Sequence, residues 1–211
     1  KAHRQAPIAR KDQIFWIDAV KREIVIRIGE FHASRSPRII HTILGSCVAV
    51  CLFDPIMRIG GMNHIFLPGK ADLNRVNEPA RYGVNAMELL INRMMQLGAP
   101  KNRLKAKIFG GGHLFPGIPE GNRVGKKIAT FVFAFLDREK IRIINHDLGG
   151  TKGRKILFHT DTGDVYLKRI SPMLFDHYSK EEKRRIKRIR ENMKKPGEIT
   201  LFADKNKGSS T

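Results

Sequence analysis

Residues 42–68 read TILGSCVAVCLFDPIMRIGGMNHIFLP, and the fold of the chain turns on how this stretch is parsed. Apolar residues at 39–44 and again at 47–53 are interrupted by Gly45-Ser46, which predicts two strand pieces joined at a glycine turn. In the second piece apolar side chains occupy both parities, the pattern of a strand covered on both faces. Asp54-Pro55 supplies turn chemistry, and 59–66 returns as a further short strand stopped by Pro68-Gly69. Cys47 is thereby set directly after a glycine turn at a strand boundary. His64 closes the return strand, where hairpin-like pairing can bring it beside Cys47.

The elements on either side extend the same pattern. Residues 1–13 are basic and aperiodic and predict a loose N-terminal arm. The β-branched run 23–28 (EIVIRI), closed by Gly29, predicts one strand, and the polar stretch 69–80 a loop. Val84, Met87, Leu90, Ile91 and Met94 recur with a helical period over 82–97, with Gly98 as the stop. A strand at 106–109 leads into Gly110-Gly111-Gly112. A second helix is predicted by Val124, Ile128, Phe131 and Phe135, with Asn122 as its N-cap and Phe133 on its packed flank. Three strands follow at 141–145, 155–158 and 165–170, the last two joined by the turn 161–164 (DTGD). Ser171-Pro172 opens a basic helix to about Met193, and a Gly/Ser/Lys tail ends the chain. The expectation is one α/β domain over 14–170, followed by a basic helical extension and flexible tail over 171–211.

Composition narrows the class. With 211 residues, 41% hydrophobic and 28% charged, the chain can fill one core. Its apolar runs are far too short to span a bilayer, and its opening lacks a secretory pattern, so a cytoplasmic, not membrane-embedded protein is expected. Cys47 and Cys51, four residues apart on a strand, would have α-carbons roughly 13 Å apart, beyond disulfide reach. A mixed zinc site adding His41 and His64 to the cysteines matches no common zinc spacing. The formal net charge is +20, from 40 Lys+Arg against 20 Asp+Glu. Nine of the basic residues lie within 180–195. Such an excess attracts nucleic acid, anionic lipid or an acidic protein surface without choosing among them.

The chemistry is weighed against packing. A glycine turn exposes a thiol and leaves nearby backbone N–H groups to hold an oxyanion, and histidine is the usual base that converts thiol to thiolate. Yet a lone cysteine in an apolar strand is more often a small buried hydrophobe, by roughly three to one. Cys51 reads that way, and spacing alone would leave Cys47 there too. Gly110-Gly111-Gly112-His113 lacks the Lys-Ser/Thr of a phosphate loop and reads as a tight turn. Aromatic residues are absent from 179–195, against a base-stacking role for the basic segment.

Taken in order, the segments resemble a known family. LGSCVAVCLFDP, then GGMNH and LP, are similar to the signature of the chemoreceptor glutamine deamidases (CheD). Ile28-Gly29-Glu30, RYGVNAMELLINRM (81–94), IFGGG (108–112) and DLGGTKGRKILF (147–158) resemble further segments of that family, at similar spacing over about 23–170. Asp147, Gly149, Gly150 and Arg154 then read as a structural loop near the site. One departure is 123–128 (RVGKKI), which keeps a glycine but lacks the two asparagines often seen there.

The resemblance implies mixed β-sheets packed face to face with outer helices, an αββα-type layered sandwich. It implies conversion of glutamine side chains to glutamate on methyl-accepting chemoreceptors, in bacterial chemotaxis adaptation, with receptor methylesterase as a side activity. Cys47 matches the family's nucleophile and His64 its histidine. Thr42 stands five residues before Cys47, whereas some members place their threonine six before, at the position of His41; Thr42 is taken as the residue that orients His64. Gly45 and Ser46 form the turn whose backbone would hold the oxyanion. The mechanism calls for no cofactor and no metal. Its partners would be the chemoreceptor cytoplasmic domain and a CheC-type phosphatase, with no specific nucleic acid. A non-catalytic chemotaxis docking protein and a basic nucleic-acid-binding module are the alternatives.

Overall fold

The computed structural model describes residues 21–66, 78–114 and 123–171, and beyond them Phe175, Lys180, Arg184, Lys187, Arg188 and Glu191. The expected N-terminal arm, the C-terminal tail and Asn122 lie outside the described residues. Among the described residues, the elements with defined bounds follow in the order β1 (Arg22–Val25), β2 (Phe31–Ser34), β3 (Arg38–Leu44), β4 (Val48–Asp54), β5 (Ile59–Ile65), α1 (Glu78–Gln96), β6 (Lys105–Gly110), α2 (Val124–Arg138), β7 (Arg142–Leu148), β8 (Gly153–His159) and β9 (Val165–Ile170).

The strands form two mixed sheets. One has the order β1-β3-β8-β9 and the other β2-β5-β4-β6-β7. Strand β4 is central in the second, antiparallel to β5 and β6, and its side chains divide between two cores. Val48, Val50 and Leu52 pack with Met87, Leu90 and Met94 of α1 and with Ile128, Val132 and Leu136 of α2. Ala49 and Cys51 point the other way, joining Ile40, Leu44, Ile156 and Phe158 between the sheets. Each fully buried Val, Leu or Ile contributes about 1.5–3 kcal/mol, so the two-faced pattern of β4 holds three layers together: helices, the five-stranded sheet, the four-stranded sheet. This is the α/β sandwich of mixed, face-to-face sheets with outer helices that was expected.

The turn from β4 to β5 is built by Asp54. Its Oδ1 accepts from the backbone N–H of Ile56 (2.9 Å) and Met57 (3.2 Å), while Arg103 donates to Oδ2 from Nε (3.1 Å) and Nη2 (2.8 Å). Burial by itself would raise this carboxyl, but the hydrogen bonds from Arg103, Ile56 and Met57 outweigh it and hold the group below the usual aspartate range.

Three local expectations change. The strand predicted at 23–28 ends at Val25, with one further bond to β3 from Ile26 N–H to His41 O (3.0 Å); the chain then turns at Gly29 (φ 79°) into an additional strand, β2, which pairs with β5. Ile26 and Ile28 remain buried between the sheets, which explains their apolar pattern. Helix α2 is preceded by Arg123 in extended conformation, without a side-chain cap. Phe131 and Phe135 are buried as expected, whereas Phe133 is 36% exposed and meets the ring of His146 edge-on at 5.8 Å.

Candidate active site

The space between the sheets holds Thr42 and His64, 3% and 1% exposed. Thr42 shares the inward parity of β3 with Ile40 and Leu44, and His64 that of β5 with Met62. The Thr42 hydroxyl donates to the carbonyl of Ile26 at 2.7 Å, and its oxygen lies 2.8 Å from His64 Nδ1. A hydroxyl has a single hydrogen, and a carbonyl can only accept. Committed to Ile26, the hydroxyl must accept from Nδ1–H. The neutral ring then carries its proton on Nδ1 and its lone pair on Nε2, the arrangement a general base requires. The backbone of His64 is held as well: its N–H donates to Glu30 O (3.0 Å) and its carbonyl accepts from Gly29 N (2.9 Å).

Cys47 lies on the turn between β3 and β4 and is 3% exposed. In the β4–β5 register Ala49 faces His64 and Val48 faces Ile65, so one residue further Cys47 falls opposite Phe66 and diagonal to His64. Diagonal neighbours on one face of an antiparallel pair are about 7–8 Å apart at Cα, closer at Cβ and within side-chain reach. Cys47, Ala49, Met62 and Phe66 all contribute to the core between the sheets, so nucleophile candidate and histidine share a face.

The turn is clamped by the glycine run. Gly111 N–H donates to Cys47 O and Gly112 N–H to Gly45 O, both at 2.7 Å. Gly110 (φ 114°) has no room for a side chain, since a Cβ there would stand 2.2 Å from Cys47 O. Gly125, in the first turn of α2, lies so close to Gly111 that a Cβ would meet its carbonyl oxygen at 2.5 Å. Gly45 is pressed equally hard: a Cβ would sit 2.5 Å from the Phe175 ring and 2.7 Å from Leu114. With Gly45 and Cys47 carbonyls turned to the glycine run, Ser46 N–H makes no hydrogen bond to a described residue. The GGGH segment is thus a tight turn, as expected, and its task is to shape the cysteine turn.

Cys51 faces the same core, where burial drives its thiol far above the usual range against a smaller opposing pull from Lys107. Neither cysteine is joined in a disulfide. His41 is not beside His64: it points to the outer face of the four-stranded sheet, its Nε2 3.4 Å from Glu23. Burial, then Lys155, lower its basicity, against Glu23. A zinc arrangement using both histidines would need them on one side of β3, and they occupy opposite sides.

Behind the turn stands a network that sequence reading understated. Arg154, fully buried, donates from Nη1 to Asp147 O at 2.7 Å, pairs with Asp147 Oδ1, and reaches Gly149 O through Nη2. Arg169 holds the other carboxylate oxygen of Asp147 at 2.7 Å. The loop so fixed grips the glycine run: Gly149 N–H donates to Gly110 O (2.9 Å) and His113 N–H to Gly150 O (2.7 Å). The loop is structural and adjoins the cysteine turn, as expected. The available signal for Arg154 was its parity, shared with the inward Ile156 and Phe158.

Comparison with known proteins gives the same direction. The family model described as CheD chemotactic sensory transduction matches residues 66–169, beginning just after the segment with Cys47 and His64. Relatives extend over that segment. "Probable chemoreceptor glutamine deamidase CheD 1" of Shewanella oneidensis is 43% identical over 92% of each chain. "Probable chemoreceptor glutamine deamidase CheD 2" of Chromobacterium violaceum is 48% identical over 75% of this chain and 77% of its own. That named CheD of Methylobacillus flagellatus is 41% identical over 90% of this chain and 93% of its own. Among solved structures, the Bacillus licheniformis hypothetical protein YfiH superposes with a TM-score of 0.40 at 12% identity, covering 57% of this chain and 51% of that one, a likeness too loose to carry an argument. With 41% and 43% identity sustained over nine-tenths of its length, the chain belongs to the CheD family.

Proposed function

We propose that this protein hydrolyses glutamine side-chain amides on methyl-accepting chemoreceptors, with Cys47 as nucleophile, His64 as acid and base, and Thr42 as the group that sets the ring. The observation that carries the reading is the Thr42 hydroxyl, committed to Ile26 O and 2.8 Å from His64 Nδ1, which leaves the Nε2 lone pair as the base. His64 takes the thiol proton and the Cys47 sulfur bonds to the carboxamide carbon. The oxyanion is held by backbone N–H groups of the Gly45-Ser46-Cys47 turn. The imidazolium returns its proton to the nitrogen, the C–N bond breaks and ammonia leaves. Water, deprotonated by the same ring, adds to the thioester; the C–S bond breaks, giving glutamate and the thiol.

Support comes also from the names of the relatives, which describe chemoreceptor glutamine deamidases. A methyl glutamate ester would form the same thioester with loss of methanol, so receptor methylesterase is a side activity of this reading. The reaction belongs to the cytoplasm, where a receptor's modifiable region lies, and a CheC-type phosphatase is a further partner. The test is conversion of glutamine on a soluble receptor fragment, read by the mass shift from amide to acid at each site. Cys47→Ala is expected to abolish conversion while Cys51→Ala retains it; conversion at the wild-type rate by Cys47→Ala would end the proposal.

A further inference from the structure

The outer face of the four-stranded sheet carries cations where a sheet face is ordinarily neutral or paired. Lys155 of β8 stands directly opposite Lys168 of β9, and two like charges in that register repel. Among the described residues neither lysine has a carboxylate partner. In the next row Leu157 lies between His41 and Tyr166, and Val25 pairs with His41 from the edge. Tyr166 is 60% and Val25 58% exposed, on the side of the sheet opposite the buried Ile40, Ile156 and Phe158. The face therefore has an apolar centre with one amphipathic aromatic, bordered on one side by the unpartnered lysine pair and on the other by Glu23 beside His41.

The same face reaches the cysteine turn. Phe175, 8% exposed, lies over Gly153 at the start of β8, where a Cβ would stand 2.6 Å from its ring, and presses on Gly45. Beyond it Lys180, Arg184, Lys187 and Arg188 are helical and exposed, at a spacing that places all four on one side of a helix.

We infer that this outer sheet face is the docking surface for an acidic protein, and that the protein docked is the glutamine-bearing substrate; the second half rests on the deamidase reading above. A repelling lysine pair has no structural benefit, but an acidic partner turns it into two attractions and steers association. The apolar centre selects a protein over the other polyanions. Tyr166 is the one exposed aromatic of the face, too little for a run of stacked bases, and one tyrosine and one valine are too little apolar area to enter a lipid interface. Protein interfaces combine such an aromatic and aliphatic centre with a charged rim.

Lys168→Glu separates docking from structure, because it replaces the repelling pair by an attractive one. Its thermal midpoint is expected to equal or exceed wild type, while KM for a soluble receptor fragment rises on the order of tenfold, with kcat unchanged and the salt dependence of KM flattened. Adding Lys155→Glu should weaken binding further. Unchanged KM and salt dependence in an active Lys168→Glu protein would overturn the docking surface and leave the deamidase reading standing. Salt-dependent binding of the fragment by a wild-type protein that converts no glutamine would do the reverse. Tighter binding to vesicles of anionic lipid or to a generic oligonucleotide than to the fragment, lost in Lys168→Glu, would also overturn the inference, assigning the face to a membrane or to nucleic acid.

Discussion

Replacing Thr42 by valine removes one buried oxygen and nearly preserves the shape of the side chain. Two hydrogen bonds go with it, one of 2.7 Å to Ile26 O and one of 2.8 Å from His64 Nδ1. Each buried polar group left unsatisfied costs about 1–3 kcal/mol. One such loss, eased by small shifts, lowers the thermal midpoint by roughly 2–4 °C per kcal/mol in a domain of this size. The kinetic effect is separate. Without an acceptor at Nδ1 the ring no longer prefers the tautomer with its lone pair on Nε2, and it can rotate in the slot. If the same 1–3 kcal/mol is lost from the transition state, kcat falls about 5-fold to 150-fold. KM should hold, because Thr42 is buried between the sheets and does not reach a docked protein. The assay is steady-state conversion of receptor glutamine, with thermal unfolding in parallel. Thr42→Ser, which keeps the hydroxyl, should recover most of the kcat. A Thr42→Val protein that is destabilised as predicted but converts glutamine with wild-type kcat would refute the orienting role and leave Thr42 a packing residue. His41→Ala, on the far face of β3, should leave kcat unchanged.

Two further outcomes follow from the clamps around the site. Arg154→Met retains the stem of the side chain but releases Gly149 O, Asp147 O and one carboxylate oxygen of Asp147, the other staying on Arg169. Faster amide exchange in 110–113 and a fall in kcat are expected together, and a fall in kcat with exchange unchanged would contradict the mechanical link. Arg103→Gln tests the buried carboxylate of Asp54. Because the folded pKa of Asp54 lies below the ordinary 3.8, the stabilisation it supplies is fully present above that pH and is lost as pH falls through the folded value. The variant should therefore be less stable than wild type at neutral pH, and the gap should close in strong acid; a gap independent of pH would show that the pair contributes no charge-dependent stability.

Much of this protein was readable locally. The double-sided apolar run of β4, the glycine turn before Cys47 and the helical period of Val84 to Met94 are short-range patterns, and each led to the element found. Other features escaped for local reasons too. The buried Ile26 and Ile28 continued the pattern of β1 past its last ladder partner, and Phe31–Ser34 is too short to stand out. What no local pattern decides is which face of β3 looks inward. Ile39 and Ile43 lie on one parity and Ile40 and Leu44 on the other, so alternation is silent on whether His41 or Thr42 meets His64. The second sheet decides it: packing of Ile40, Leu44, Ile156 and Phe158 against β4 and β5 turns Thr42 inward and leaves His41 beside Glu23. A shift of one residue in a strand reverses the face of every side chain, and that choice is made by burial against residues distant in the chain. The sequence by itself determined most of the strands, the turn before Cys47 and the family; the contact between Thr42 and His64, and the lysine pair opposed on the outer face, came only from the register of sheets assembled from distant segments.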